Sequence, residues 1–313
     1  MAFDVTKLPD YTNQDSTEFI TKSILGASTL SILAQSGKLL TNVKGKQAIP
    51  ISDVDVVLQD NSTDAGERNA QGGMVIDQVI IEPAEIKSLT NWSNRQLTDK
   101  FTVEELKAKF KGQNYDNAAF AEFIGNEQAA AIASINEQAL WQGDVNLPGT
   151  GATKNLNRFD GFLKKMKVSG ATGVAINLSG STTGATIVDK LKNGFLATKV
   201  EVRTQPDFRL FISKADYQLY IAALSEKNLY VPATEKVLFG TDCPMEIVEG
   251  LVGTGTVVFT RLRSLYAGTD MDSDASTATK YFSPETKQLY IDFQYSLGTA
   301  TAMHNEIFYS KVA

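Results

Sequence analysis

Apolar residues recur at helical spacing along one stretch in the middle of the chain, residues 116–143. The stripe consists of Phe120, Phe123, Ile124, Ala131, Ile132, Ile135, Ala139 and Leu140. Asp116 predicts an N-cap, and Gly143 predicts a left-handed residue that ends the helix. A helix of this length would span roughly 40 Å, about twice the average, so it is expected to brace an extended molecule.

The opposite side of this helix is polar and is expected to face outward. It carries Glu122, Asn126, Glu137 and Gln138. The apolar stripe is then expected to pack between the hairpin predicted below and the strands at the end of the chain. The helix is expected to act as a spine without carrying an active site.

The first third of the chain changes from helical to alternating periodicity. Residues 1–14 predict an extended arm, and 16–36 predict one helix that Gly37 ends. Residues 46–60 and 74–82 alternate as strands do, with a polar, glycine-bearing segment between them. This pattern predicts a long protruding β-hairpin. Because an isolated hairpin is marginally stable in water, we expect it to lie on another surface, such as a neighbouring subunit.

The second half predicts a compact α/β layer followed by strands. A helix at 186–198 precedes a strand at 208–213, and Ser213 with Asp216 predicts the capped start of another helix. Two further strands lie within 245–260, and 279–313 is strand-like throughout. A short amphipathic helix is also predicted at 102–110, directly before the long one.

Composition narrows the functional classes. The 313 residues are 42% hydrophobic and 21% charged, with a formal net charge of −6 that argues against a dedicated nucleic-acid binder. No apolar run approaches the roughly 18 residues of a membrane span, and the first residues lack a secretory-signal pattern. The single cysteine, Cys243, excludes an internal disulfide and predicts a buried small hydrophobe.

The densest basic cluster is Lys164, Lys165 and Lys167, close to Lys154 and Arg158. It is expected to form a solvated strand or loop edge, with a local contact to phosphate as the weaker alternative. Neither interpretation makes it a catalytic site.

Candidate catalytic and binding groups are few. The only histidine, His304, lies in a strand-like pattern without an obvious nucleophile. The segment 179–186, SGSTTGAT, precedes a helix but lacks the lysine of a phosphate-binding loop. Asp270, Asp272 and Asp274 are spaced like calcium ligands, yet Ala275 stands where the glycine belongs. We therefore expect no enzyme, no cofactor and no dedicated metal site, and whether this aspartate loop holds a cation stays open.

Several segments, taken in order, resemble a known family. The helix end EQALWQGD (137–144) is followed by a glycine-rich loop and FDGFLKKMKV, and DFRLFISKADYQLYIAAL covers 207–224. LFGTDCPMEIVEGL and YFSPETKQLYIDFQYSLGTATAMHNEIF follow. This ordered set resembles the major capsid protein of tailed bacteriophages, with its Hong Kong 97-type shell fold. The resemblance extends from about residue 15 to 313.

The resemblance implies an α+β fold with defined parts. These would be an N-terminal arm and helix at 1–45, an extended loop at 46–82, a peripheral domain at 83–165 and 276–313 containing the spine helix 116–143, and an axial domain at 166–275. It also implies self-assembly into pentamers and hexamers that form an icosahedral shell around double-stranded DNA. Portal, scaffold and decoration proteins would be partners, the location would be the virion, and no membrane would be involved.

The extended loop supplies the candidate contacts between subunits. They are Val54, Val56, Glu67, Arg68, Val75, Ile76 and Val79. Some members of the family crosslink subunits through a lysine on this loop, but no lysine lies between Lys46 and Lys87, so that crosslink is not expected. Because few residues precede the first helix, any scaffold is expected to be a separate protein. Two alternatives stay open, a nanocompartment shell and an α/β enzyme or ligand-binding module.

Overall fold

The computed structural model describes residues 13–58, 73–110, 117–174, 176, 184–229, 236–270, 277–283, 285–286 and 288–310. The helices are α1 Asn13–Leu25, α2 Ser28–Gln35, α3 Asn94–Phe110, α4 Asn117–Gln142, α5 Phe162–Val168, α6 Gly184–Ala197, α7 Val200–Arg203 and α8 Lys214–Glu226. The strands are β1 Leu39–Leu40, β2 Gln47–Asp55, β3 Gly73–Ile81, β4 Ala84–Ser93, β5 Thr172–Val174, β6 Phe208–Ser213, β7 Met245–Val248, β8 Val258–Arg261, β9 Leu265–Thr269, β10 Thr277–Ser283, β11 Gln288–Thr301 and β12 Phe308–Ser310.

Three sheets organise these strands. In the first, the long strand β11 pairs antiparallel with β10, β4 and β9, and β1 adds a parallel pair to β9. The second sheet has the order β5-β12-β8-β6-β7. The third is the hairpin of β2 and β3. The two long strands of the predicted hairpin are confirmed, as is the mixed α+β architecture.

The predicted long helix is confirmed as α4, but its neighbour is not the hairpin. Helix α1 runs along it, with the ring of Phe19 against Gly125, and Gly26 directly after α1 lies against Ala133. On another side α4 meets the first sheet, where Tyr295 donates a hydrogen bond to the Asn136 side chain at 2.7 Å. The spine is therefore held between α1 and the sheet.

The prediction that the polar face of α4 points outward is wrong at one position. Glu137 is 2% exposed and accepts hydrogen bonds from Thr29 N at 3.0 Å and Thr29 Oγ1 at 2.6 Å. Trp141 Nε1 donates to the same hydroxyl at 2.8 Å. Burial raises the pKa of Glu137, although the hydrogen bonds from Thr29 oppose that shift. The sequence pattern could not show this, because the partner lies more than a hundred residues away.

The helix predicted at 16–36 is two helices. A Cβ on Gly26 would lie 2.5 Å from Lys22 O and 2.8 Å from Ala133 Cβ, so this residue allows the chain to approach α4 closely. The N-cap of α2, Ala27, makes no side-chain cap hydrogen bond, and Glu137 caps the helix from outside instead. The predicted stop is confirmed, since Gly37 adopts a φ of 69°.

Gly143 ends α4 for a reason other than the predicted one. Its φ is not in the left-handed region. A Cβ there would instead lie 2.5 Å from both Ala139 O and Phe159 O, and Gly161 N donates to Gly143 O at 2.8 Å. The glycine permits the segment before α5 to cross the end of the spine at backbone distance.

The basic cluster lies on helix α5, so its prediction as a strand or loop edge is wrong. Lys164 bridges Asp144 at 2.7 Å and Asp160 at 2.6 Å. Lys165 is half-buried and donates to the carbonyl of Thr299. Burial lowers the pKa of Lys165. Two of the three lysines therefore tie α5 to its surroundings.

The second sheet is covered on both faces. One face packs on α6 and α8, and the other meets the end of the spine, where the rings of Trp141 and Phe211 are 5.3 Å apart. The predicted cap of α8 is confirmed, because the side chain of Ser213 accepts from Asp216 N at 3.1 Å. The end of the chain returns to this sheet as β12. His304 lies just before it in a 3-10 turn, not in a strand as predicted.

We predict that Glu137→Ala destabilises the protein by about 1–3 kcal/mol, because the Thr29 amide and hydroxyl lose a buried acceptor. The free energy of unfolding from denaturant titration measures this effect. Gln138→Ala on the exposed side of α4 is the matched control and should change stability by less than about 0.5 kcal/mol. Equal effects of the two variants would contradict the role of Glu137 as an external cap.

We predict that Gly143→Ala destabilises the protein by about 1–3 kcal/mol, because the new methyl group meets two backbone carbonyls that cannot move independently. Gly45→Ala serves as the control, since a Cβ at Gly45 meets nothing within 4 Å. Thermal unfolding should separate the two variants. A stabilised or unchanged Gly143→Ala would refute the close crossing.

Candidate functional site

The hairpin is held at its base by a small apolar cluster. Val43, Ile81 and Ala300 are buried there, and Ile49, Val79 and Tyr266 pack against them. Gly268 permits the approach, because a Cβ on it would lie 2.7 Å from Ile81 Cδ1. An exposed ion pair between Lys46 and Glu82, 3.2 Å apart, spans the same end of the hairpin. The base therefore belongs to the folded body, through β9 and β11.

The register of the two strands divides the hairpin into two faces. Gln47 pairs with Ile81, Ile49 with Val79 and Asp55 with Gly73. Directly paired residues share one face of an antiparallel sheet. One face thus contains Ile49, Val79 and Ile81 and continues into the base cluster.

The other face carries apolar side chains that the described chain leaves more than half exposed. It contains Met74, Ile76 and Ile80, which are 57%, 72% and 54% exposed. Beyond the end of β2, Val56, Val57 and Leu58 are also exposed. Single exposed hydrophobes are normal on a protein surface, but a row of them along one strand indicates a contact surface. We name Met74, Ile76 and Ile80 the apolar row.

The structure distributes the predicted contact residues unequally. Ile76 lies in the apolar row and Val56 lies beyond β2, whereas Val79 is half-buried and packs in the base cluster. The backbone register pairs Val54 with Met74 and Val75 with Asp53, but their side chains lie outside what the structure describes. Glu67 and Arg68 lie outside the described residues altogether. Their contact with a second subunit stays a prediction.

Sequence analysis missed Met74, Ile80 and Leu58 as candidates. A signal for the first two was present, because residues 74, 76, 78 and 80 alternate with residues 75, 77, 79 and 81. The sequence alone could not show which of the two sets packs against the body. The strand register and the base cluster show that the set containing Val79 and Ile81 packs against the body.

The chemical groups singled out in the sequence are not brought together. No cluster of three or more His, Cys, Asp or Glu residues that could hold a metal ion occurs in the part of the chain that the structure describes. Cys243 is buried, which raises the pKa of its thiol to about 12. Asp270 is buried at the end of β9, while Asp272 and Asp274 lie outside the described residues, as does most of 179–186.

A second surface with apolar exposure lies on α8. Leu219 and Ile221 are 44% and 40% exposed there, and they flank the buried Tyr220 on either side of the helix. Of the helices in the described ranges, none is both long and apolar enough to cross a membrane. The hairpin and α8 are thus two candidate contact surfaces, on different parts of the fold.

Neither a protein-family model nor a curated protein sequence matches the chain. Several solved structures match the chain in fold. The satellite phage P4 procapsid, determined with its size determination (Sid) protein, aligns at a TM-score of 0.57 with 11% identity, over 96% of this chain and 99% of that chain.

Two further solved structures have a similar fold. The capsid of an empty GTA particle aligns at a TM-score of 0.55 with 13% identity, over 90% of this chain and 89% of that one. The capsid of Myoviridae phage XM1 aligns at 0.53 with 11% identity, over 88% and 90%. At such identities the similarity shows the fold, and the fold of this chain is that of phage capsid proteins, of the Hong Kong 97 type. The predicted resemblance is confirmed at that level.

We predict that the apolar row contributes little to the stability of the subunit, whereas the base cluster contributes much. Ile76→Ala should change the free energy of unfolding by less than about 0.5 kcal/mol, because its side chain is already in water. Ile81→Ala, at 0% exposure, should cost about 2–5 kcal/mol. Both are measured on the unassembled subunit, and a large loss from Ile76→Ala would show that something within the subunit covers the row.

Proposed function

We propose that this chain is a major capsid protein, the subunit of an icosahedral shell that encloses a phage genome. Two observations support the proposal. The whole described chain has a capsid fold, and the hairpin carries an apolar row that its own subunit leaves exposed. The second observation carries it, because a protruding, two-stranded hairpin with exposed apolar side chains is stabilised when a second copy covers it.

Self-association of this kind would use several interfaces per subunit. A typical specific interface buries roughly 800 Å² per partner, and contacts made simultaneously by one rigid subunit reinforce one another. The hairpin at 46–82 would lie on the adjacent subunit, with Val54, Val56, Val75, Ile76 and Val79 as contact candidates and Glu67 and Arg68 at its tip. Exposed ion pairs at such a tip contribute little individually.

The remaining parts of the chain take roles in the same assembly. The peripheral domain would comprise 83–165 and 276–313, and the axial domain would comprise 166–275. Copies of the axial domain would meet around the centres of pentamers and hexamers, and the exposed Leu219 and Ile221 on α8 suit such a contact. The arm and first helices at 1–45 would follow the spine.

The charge of the subunit is compatible with a container for DNA. A net charge of −6 does not neutralise phosphate, so double-stranded DNA would be retained by the closed wall and not by specific binding. A portal, a separate scaffold and decoration proteins would be the further partners. The protein would act in the virion, as a structural component and not as an enzyme.

A nanocompartment shell would share this fold and enclose a protein cargo. The neighbours named above are phage and GTA particles, which favours the virus. The content of purified particles separates the two functions, since packaged nucleic acid supports the capsid and an enzyme cargo supports the compartment.

We predict that Ile76→Asp abolishes assembly while the subunit stays folded, because a carboxylate in the apolar row must be desolvated at the interface. Size-exclusion chromatography with negative-stain electron microscopy measures the fraction in shells. Ile76→Val is the matched control and should assemble normally. Deletion of residues 61–72 should likewise give a folded, assembly-deficient subunit. Normal closed shells from Ile76→Asp would contradict the proposed role of the hairpin.

A further inference from the structure

The base of the hairpin borders a groove that contains the only histidine of the chain. The groove has a volume of about 330 Å³ and lies between β3 and α5. Val79 and Ile80 line one side, Lys165 and Val168 line the other, and His304 closes it.

The backbone conformation before His304 places its side chain in this groove. Met303 before it adopts a φ of 43°, a conformation uncommon for residues other than glycine, which directs the chain into the 3-10 turn. Within the part of the chain that the structure describes, the buried Nδ1 of His304 has no hydrogen-bond partner. A neutral imidazole tolerates this arrangement better than an imidazolium, whose two N–H groups both require acceptors.

The charged groups around the groove are Asp77 from β3, Glu82 just after it, and Asp160, Lys164 and Lys165 from the α5 side. Glu82 is paired with Lys46 at 3.2 Å. Asp160 is neutralised by Lys164 at 2.6 Å. Lys165 donates to the Thr299 carbonyl and is a second cation beside the groove. On the turn of His304 itself, Glu306 is held by Arg261 and Arg263. Asp77 is thus the one described carboxylate near the groove without a cationic partner in the structure, and the end of β11 contributes no charge.

We propose that His304 is a protonation-sensitive latch, which packs the base of the hairpin against α5 when neutral and releases the hairpin when protonated. Burial lowers the pKa of His304, while Asp77 acts in the opposite direction. A histidine whose pKa is lowered stabilises the packed groove at pH values above its ordinary pKa. That stabilisation is lost as the pH falls through the lowered value.

Hydrogen exchange of the full-length chain tests the latch without assuming any function for the hairpin. Exchange of residues 73–81 is compared between about pH 7.5 and about pH 5, corrected for the intrinsic pH dependence, with α4 as the internal reference. We expect exchange in β3 to rise on acidification while α4 is unchanged. The rise can reach about tenfold for each unit by which opening raises the pKa of the imidazole.

Two variants test whether His304 causes the pH dependence of exchange in β3. His304→Gln stays neutral and should remove the pH response, leaving β3 protected at both pH values. Asp77→Asn removes the carboxylate that stabilises the imidazolium in the packed groove, so acidification should raise exchange in β3 more than in the unchanged protein, which provides a test even if His304→Gln folds poorly. An unchanged pH response in His304→Gln, or an acid-induced rise in Asp77→Asn that is no larger than in the unchanged protein, would overturn the proposal.

Discussion

The burial of helix α4 on two sides is the constraint on which the rest of the fold depends. With 26 residues it extends about 39 Å, and a helix of that length needs partners along its whole course to stay ordered. Helix α1 and the first sheet supply them, and Asn136 joins both, since it donates to Ser23 O and accepts from Tyr295. The end of the helix reaches the second sheet through Trp141.

Within the described part of the chain, the hairpin packs only partly on the body of the fold. Its base packs on β9 and β11 through Ile81 and its neighbours, but the apolar row projects into solvent. Hydrophobic burial is the main favourable term in folding and in most association. A subunit that completes its own core and still exposes such a row is therefore suited to bury it on another copy.

Periodicity in the sequence predicted the elements well, because α4, the hairpin strands and the capped helix α8 are each specified by local patterns. It failed where distant residues decide the structure. Glu137 belongs to a helix face that is polar by composition, yet Thr29 makes that position buried. Gly143 was predicted to end a helix through its φ, whereas its actual reason is the crossing of the 159–161 segment. The basic residues of α5 were predicted to form a solvated edge, because sequence spacing alone does not show that Asp144 and Asp160 form ion pairs with Lys164.

The candidate site was partly predictable for the same reason. Alternation identified the hairpin and Ile76, but only the register shows that Val79 lies on the face that continues into the body. The central claim is that the apolar row is covered by a second copy of the chain. Cryo-electron microscopy of the purified, assembled protein tests it most directly. We expect closed shells in which Met74, Ile76 and Ile80 lie against a neighbouring subunit. Shells in which that row faces solvent, or a protein that stays monomeric, would contradict the proposal.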